Sequence, residues 1–212
     1  MRTAGKLSGH RAITSGCLGP EGGVNFTIRG GALAKVTTRA GDGGFTGLLG
    51  SERVAKYDPR IETLGAIDEA TSALGLARAT AASDVVICRV LLDQQRILYR
   101  LMAEVATTPE VSGKIKLATI SPADVEQVER TSEELKTQVE IGNQFVIPGE
   151  TLAGATLDVA RTIVRRAERE LARLVHAGDV GNVETLRYLN RLSDLIFVLA
   201  RFAERGQSRG VV

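Results

Sequence analysis

The chain has 212 residues, a mass of 22.6 kDa and a formal net charge of +2, so it is long enough to bury a core without covalent help and too weakly charged to act as a general polyanion magnet. Hydrophobic residues make up 43% and charged residues 25%, and five prolines with no tryptophan argue against a loop-rich β protein. A soluble, helical chain of one domain is expected, with no nucleic-acid partner and no membrane span, because no uninterrupted apolar run nears the roughly 20 residues that a span requires.

The N-terminal stretch 1–34 carries Arg2, Lys6, Arg11 and Arg29 among many Gly and Ser, with Glu21 its one acid. It has neither an amphipathic stripe nor the apolar centre of a secretory signal, and is expected to be a disordered tail. The two cysteines, Cys17 and Cys88, lie far apart without a CxxC spacing, which suggests no disulfide framework or zinc knuckle and fits a reducing cytoplasm. A folded domain over 35–206 and a short tail at 207–212 complete the expected organisation.

Gly41-Asp42-Gly43-Gly44-Phe45-Thr46-Gly47 cannot be a stable helix, since each Gly costs about 1 kcal/mol there. Together with Thr37, Thr38, Arg39 and Ala40 it offers approachable backbone N–H groups and hydroxyls, as a phosphate chain requires. It lacks the Gly-Lys-Ser/Thr ending of a P-loop, and a plain hinge before the folded domain is the other reading.

From Pro59 to about Ala82, Leu64, Ile67, Thr71, Leu74 and Ala77 recur with the period of a helix that buries one stripe. A second helix is predicted from Ser83, as N-cap, to Ala106, with Leu91, Leu98, Met102 and Val105 inward. Ser121-Pro122-Ala123-Asp124 starts a third, running to about Glu140. The apolar connector Gln144-Phe145-Val146-Ile147-Pro148-Gly149 is too short and Pro-broken for a helix, so it is expected to be an ordered loop whose side chains pack against something. A fourth helix spans about Thr151 to His176 and a fifth about Asn182 to Glu204, separated by the stop signal Gly178. The fold class is therefore all-α, a five-helix bundle with an N-terminal nucleotide-binding loop.

On the fourth helix Val159, Ile163, Ala167, Leu171 and Leu174 form the expected buried stripe, which puts Arg161, Arg165 and Glu168 on the opposite side. Arg161, Arg165 and Arg169 follow at intervals of four, so like charges stack at a cost of a few tenths of a kcal/mol per pair. Such a ladder is either a solvated face or a fork of guanidiniums for a polyphosphate, and spacing alone does not choose.

Five stretches in order carry a resemblance: Thr38-Arg39-Ala40-Gly41-Asp42-Gly43-Gly44-Phe45-Thr46; Glu52 to Lys56; Gly65-Ala66-Ile67-Asp68-Glu69 with Ser72 to Gly75; Phe145 to Gly149 with Ala160 to Arg169; and Tyr188-Leu189-Asn190-Arg191-Leu192-Ser193-Asp194. From about Ala34 to Glu204 the chain resembles the PduO-type corrinoid adenosyltransferases. That resemblance implies a homotrimer with ATP and cobalamin meeting at each subunit interface. It implies that Thr38, Arg39, Ala40, Gly41, Asp42, Thr46, Gly47 and Lys56 of one copy wrap the nucleotide, completed by Arg165, Arg166, Glu168, Arg169 and Asn190. It gives catalytic work to Arg161, Arg165, Asp68 and Phe145, with Asp68 pairing with Arg161 across the interface and Phe145 pressing on the corrin's lower face.

Three departures stand out: Gly43 where the family commonly has Lys, Ala70-Thr71 after Asp68-Glu69, and Gly149-Glu150-Thr151 after Pro148. The implied reaction is attack of Co(I) on C5′ of ATP with loss of triphosphate, so the nucleophile belongs to a substrate and the protein supplies placement and charge. Mg²⁺ is expected to arrive with ATP, with no metal held by side chains alone. His10 and His176 are the two histidines, and no Ser-His-Asp or Cys-His arrangement can be drawn with them. Expected partners beyond the small molecules are a cobalamin reductase and an adenosylcobalamin-dependent enzyme. A non-catalytic ATP-sensing or corrinoid-carrying trimer is the alternative; a di-iron bundle is not, because Glu-x-x-His pairs are missing.

Overall fold

The computed structural model describes residues 37–50, 53–108, 110–114, 116–142 and 145–207. The tail 1–34, Cys17, Glu52, Gln144 and all of the C-terminal tail except Gln207 lie outside the described residues. The elements, in chain order, are β1 (Phe45–Gly47), β2 (Arg53–Ala55), α1 (Pro59–Thr80), α2 (Val85–Ala106), α3 (Pro122–Lys136), α4 (Leu152–Ala177) and α5 (Glu184–Ala203).

The five helices are the expected five, and their starts are written in side chains that satisfy orphan amides. Asp58 accepts from Arg60 N with Pro59 in the first turn, and Asp84, one residue after the expected Ser83, accepts from the amides of Val86 and Ile87. Ser121 and Asp124 form a reciprocal capping box at α3, and Thr151 accepts from Gly154 N at α4. Gly178, at φ 81°, closes α4 in the left-handed conformation. α3 stops at Lys136, a turn short of Glu140, where Gln138 N already bonds to Leu135 O in the tighter pattern of a frayed end.

The chain is not wholly helical. Phe45–Gly47 and Arg53–Ala55 pair antiparallel, Thr46 opposite Val54, so the segment expected to be a loop ends in a small hairpin. Glycines that forbid a helix leave the extended conformation open, and Val54 supplies a branched side chain at the pairing position. The hairpin docks on the end of α2: Leu49 N donates to Ala106 O at 2.8 Å and Thr108 N to Leu49 O at 3.3 Å.

The core runs along the seams between α1, α2, α4 and α5. Ile67, Leu74, Leu91, Leu98, Leu157, Val164, Leu171, Leu189, Leu192 and Leu199 are all fully buried. On α2, Leu101 takes the inward place expected of Met102, which is half-buried. Tyr188 is buried with its hydroxyl 3.0 Å from Gln94 Oε1; burial first, and the charge of Asp124 second, push its phenol well above the ordinary value. α1 and α4 are antiparallel neighbours, joined by Arg166 with Glu69 near mid-helix and by Thr80 Oγ1 to Thr156 Oγ1 at 2.8 Å near one end. No helix among the described residues is long and apolar enough to cross a membrane.

Candidate active site

The glycine loop is built, not loose. Arg53 Nη2 donates to Ala40 O at 2.6 Å and to Phe45 O at 3.0 Å, so one guanidinium ties the start of the loop to the hairpin. Asp42 N bonds to Arg39 O, Gly44 N to Gly41 O and Lys56 N to Gly44 O, while Ala40 N reaches Thr38 Oγ1 at 3.4 Å. Lys56 folds over Gly41, where a Cβ would stand 3.1 Å from Nζ. Thr38, Arg39, Ala40, Asp42, Gly47 and Lys56 are exposed and Thr46 is half-buried. Arg39 is held at φ 59°, a left-handed conformation that costs a non-glycine residue about 1 kcal/mol or more and is found preferentially at ligand-binding loops.

The arginine face of α4 differs from the expected wheel by about one position. Leu157, Asp158, Ala160, Val164, Ala167, Leu171 and Leu174 are buried, whereas Val159 is 52% exposed and Ile163 only half-buried. α4 packs against α1 on one side and α5 on the other, so its inward sector is wide and centred between those two neighbours. The correction matters most for Arg161, expected to face away from the core. Its side chain is 27% exposed and its Nε donates to Asp158 Oδ1 at 3.0 Å.

Arg165, Arg166 and Arg169 do face outward. Arg166 is tied to Glu69 of α1, and Arg169 Nη1 donates to Arg165 O at 3.1 Å. Glu168 does not pair with Arg165; it accepts from Asn190 Nδ2 at 2.8 Å, and Asn190 Oδ1 accepts from Arg191 Nη1 at 2.6 Å. Arg191 Nε in turn reaches Glu129 of α3 at 2.8 Å, so Glu168 and Asn190 are fixed by a chain of bonds across three helices. The side chains of Arg165, Lys56 and Asp68 are exposed and meet no protein partner among the described residues.

Phe145 is 85% exposed and Ile147 50%, so the connector's expected packing is not supplied by its own chain. Phe145 is therefore not part of this chain's own core. The connector enters α4 at the end of the bundle opposite the glycine loop. Arg166 meets Glu69 ten residues into α1, so the loop before α1 is separated along the axis from Arg165 and Arg166 by roughly 15 Å and from Arg169 by roughly 10 Å. Within one copy, then, the two halves of the expected pocket do not close on each other.

A cavity of about 760 Å³ is elsewhere: it lies at the bundle end between Arg60, Glu104, Thr107, Thr119, Asp179 and Asn182. Two of its charged groups are already committed, Arg60 to the carbonyls of Val105 and Asp179 and Glu104 to Ile120 N and Asn182 Nδ2. Among the described residues no group of three or more His, Cys, Asp or Glu is placed to hold a metal ion. Sequence reading passed over Arg53, Arg60 and the buried set Asp158, Arg201 and Glu204; for Arg53 the signal was a lone Arg beside a glycine loop with free carbonyls.

Comparison with known proteins decides what this arrangement belongs to. The family model described as cobalamin adenosyltransferase matches residues 36–203. The chain belongs to the cobalamin adenosyltransferase family. It is 37% identical over 179 residues to the corrinoid adenosyltransferase of Mycobacterium leprae, covering 82% of this chain and 93% of that one. It is 38% identical over 167 residues to the corrinoid adenosyltransferase PduO of Salmonella typhimurium, covering 78% of this chain and 48% of that longer protein. Among solved structures it is similar to a variant of the PduO-type ATP:corrinoid adenosyltransferase from Lactobacillus reuteri complexed with cobalamin and ATP. That likeness has a TM-score of 0.77 at 29% identity and covers 84% of this chain and 96% of the other.

Proposed function

We propose that ATP and a corrinoid meet on the outward face of α4, in a pocket that the glycine loop of a neighbouring copy completes, three such pockets forming in a homotrimer. The chain is a transferase: it moves the 5′-deoxyadenosyl group of ATP to a reduced corrinoid. One observation carries the composite pocket. Arg165, Lys56, Asp68 and Phe145 are all exposed, the first three lack protein partners among the described residues, and in a single copy the loop and the arginines stand apart.

In the reaction the Co(I) electron pair forms the bond to C5′ while the C5′–O bond breaks, and triphosphate leaves with the two electrons of that broken C5′–O bond. The chain's part is electrostatic and positional. Lys56 and the backbone amides of Gly41 and Gly43 approach the phosphates, and Thr38, Arg39, Ala40, Asp42, Thr46 and Gly47 shape the loop around them. Arg165 and Arg169 neutralise the leaving triphosphate, and Mg²⁺ enters with the nucleotide. Glu168 and Asn190, fixed through Arg191, form the wall against the adenosine, with Arg166 at its edge. Asp68 reaches Arg161 of the next copy. Phe145 covers the corrin's lower face, where displacing an axial donor makes the cobalt easier to reduce.

The test is a spectral assay with ATP and reduced cobalamin. A light-sensitive Co–C product released with triphosphate is expected; ATP and corrinoid binding without that product would leave the non-catalytic carrier.

A further inference from the structure

Asp158 lies on α4 and belongs to none of the site residues named so far. Its side chain is 5% exposed, and its two oxygens are divided between two arginines. Oδ1 accepts from Arg161 Nε at 3.0 Å, and Oδ2 accepts from Arg201 Nη2 at 2.7 Å. Arg201, on α5, is itself 1% exposed, and its Nε stands 2.9 Å from Oε2 of the fully buried Glu204, close but poorly aligned for a hydrogen bond. The row is neutral as a whole, with two acids and two arginines.

A buried ionic row is a poor device for stability alone, since each ion loses several kcal/mol of hydration and apolar replacements are often as stable. Its geometrical effect is more specific. A guanidinium is planar, so fixing the Nε–H direction of Arg161 also fixes the plane and heading of its two terminal nitrogens. Those nitrogens have no protein partner among the described residues. The inner edge is thus held from the core while the outer edge stays available for a two-point contact with a carboxylate or phosphate.

We propose that Asp158, clamped by Arg201, is a positioning residue that aims the outer edge of Arg161 into the active site; this rests on the reading of Arg161 as a site residue. Asp158→Asn offers one oxygen where two are needed and turns an amide N–H₂ toward one of the guanidiniums. Turnover should fall about tenfold to a hundredfold, the usual cost of a misplaced site group. In an Arg161→Ala background the same substitution should cost almost nothing further, because the residue it positions is gone. Equal losses in both backgrounds would mean that Asp158 serves only the fold, and would overturn the proposal.

Asp158→Asn leaves Arg201 short of a partner and could fail to fold. A second measurement on the unsubstituted protein therefore stands beside it: the Nε–H resonance of Arg161, assigned by its loss in Arg161→Lys, should be resolved and protected from solvent exchange. A fast-exchanging, averaged signal would overturn the proposal whatever the variants do. If the unsubstituted chain made no Co–C product, the functional reading would fall, and the resonance alone would decide the positioning.

Discussion

Gly154→Ala is the substitution for which helix propensity and packing disagree most sharply. Gly154 sits in the first turn of α4, and Ala there is favoured by about 1 kcal/mol on backbone grounds. A Cβ at this position, however, would stand 2.3 Å from Glu204 Oε1 and 2.8 Å from its Cγ and Cδ. Glu204 is fully buried against Arg201, so it cannot step aside without breaking that pair. Overpacking costs about 1–3 kcal/mol and a broken buried ion pair about 3–5 kcal/mol, so even a partial disruption outweighs the propensity gain. A net loss of about 3 kcal/mol is expected, or a drop in Tm of about 6–12 °C for a chain of this size. The assay is thermal and urea unfolding at fixed protein concentration, with Gly65→Ala on α1 as control; nothing lies within 4 Å of a Cβ there, and that variant should be as stable as the parent or slightly more so. A Gly154→Ala protein at least as stable as the parent would refute the tight seating of Glu204 and with it the buried row.

Phe145→Ala removes an 85% exposed ring, so stability should change by less than about 0.5 kcal/mol and ATP binding should persist, while most turnover disappears; unchanged turnover in the spectral assay would reject the role given to the ring. Gly43 has open space around a Cβ and no positive φ, so Gly43→Lys should fold normally and, by adding a cation beside the phosphates, tighten ATP by about 1 kcal/mol, or about fivefold in a calorimetric titration. No gain in affinity would remove the loop from the phosphate site. Asp124 supplies the pH dependence: burial raises its carboxyl, but hydrogen bonds from the Ser121 hydroxyl, Arg100 and the Ser121 amide outweigh this and hold it below the ordinary 3.8. A carboxyl depressed on folding stabilises above its unfolded value and loses that contribution as pH falls through the folded value. Asp124→Asn should therefore be about 1–2 kcal/mol less stable than the parent at pH 7, with the gap closing below the ordinary carboxylate range; a gap that persists in acid would contradict this.

Helix starts were legible because they depend on neighbours in sequence: Asp58-Pro59, Ser121-Pro122 with Asp124, and Thr151 each satisfy amides within three residues. The outward heading of Arg165 was legible from periodicity for the same reason. The heading of Arg161 was not, because it is set by Asp158, which in turn is held by Arg201, 43 residues away along the chain. Periodicity assumes one buried stripe, and α4 has two neighbours, so Val159 was assigned inward although it is half exposed. The hairpin was hidden by its glycines, whose missing side chains remove the alternation by which strands are recognised. Glu168 could be named as a site residue, yet its partner, Asn190, follows from the meeting of α4 and α5 and not from either segment alone.

The composite pocket is tested most directly by subunit mixing. Lys56→Ala damages the loop and Arg165→Ala damages the α4 face, so each pure protein should be nearly inactive. After exchange at equal concentrations, about a quarter of the interfaces would join an intact loop to an intact α4 face, and turnover should recover to about that fraction of the parent's. A mixture that remains as inactive as its components, although mass measurement shows mixed assemblies, would contradict a site shared between copies.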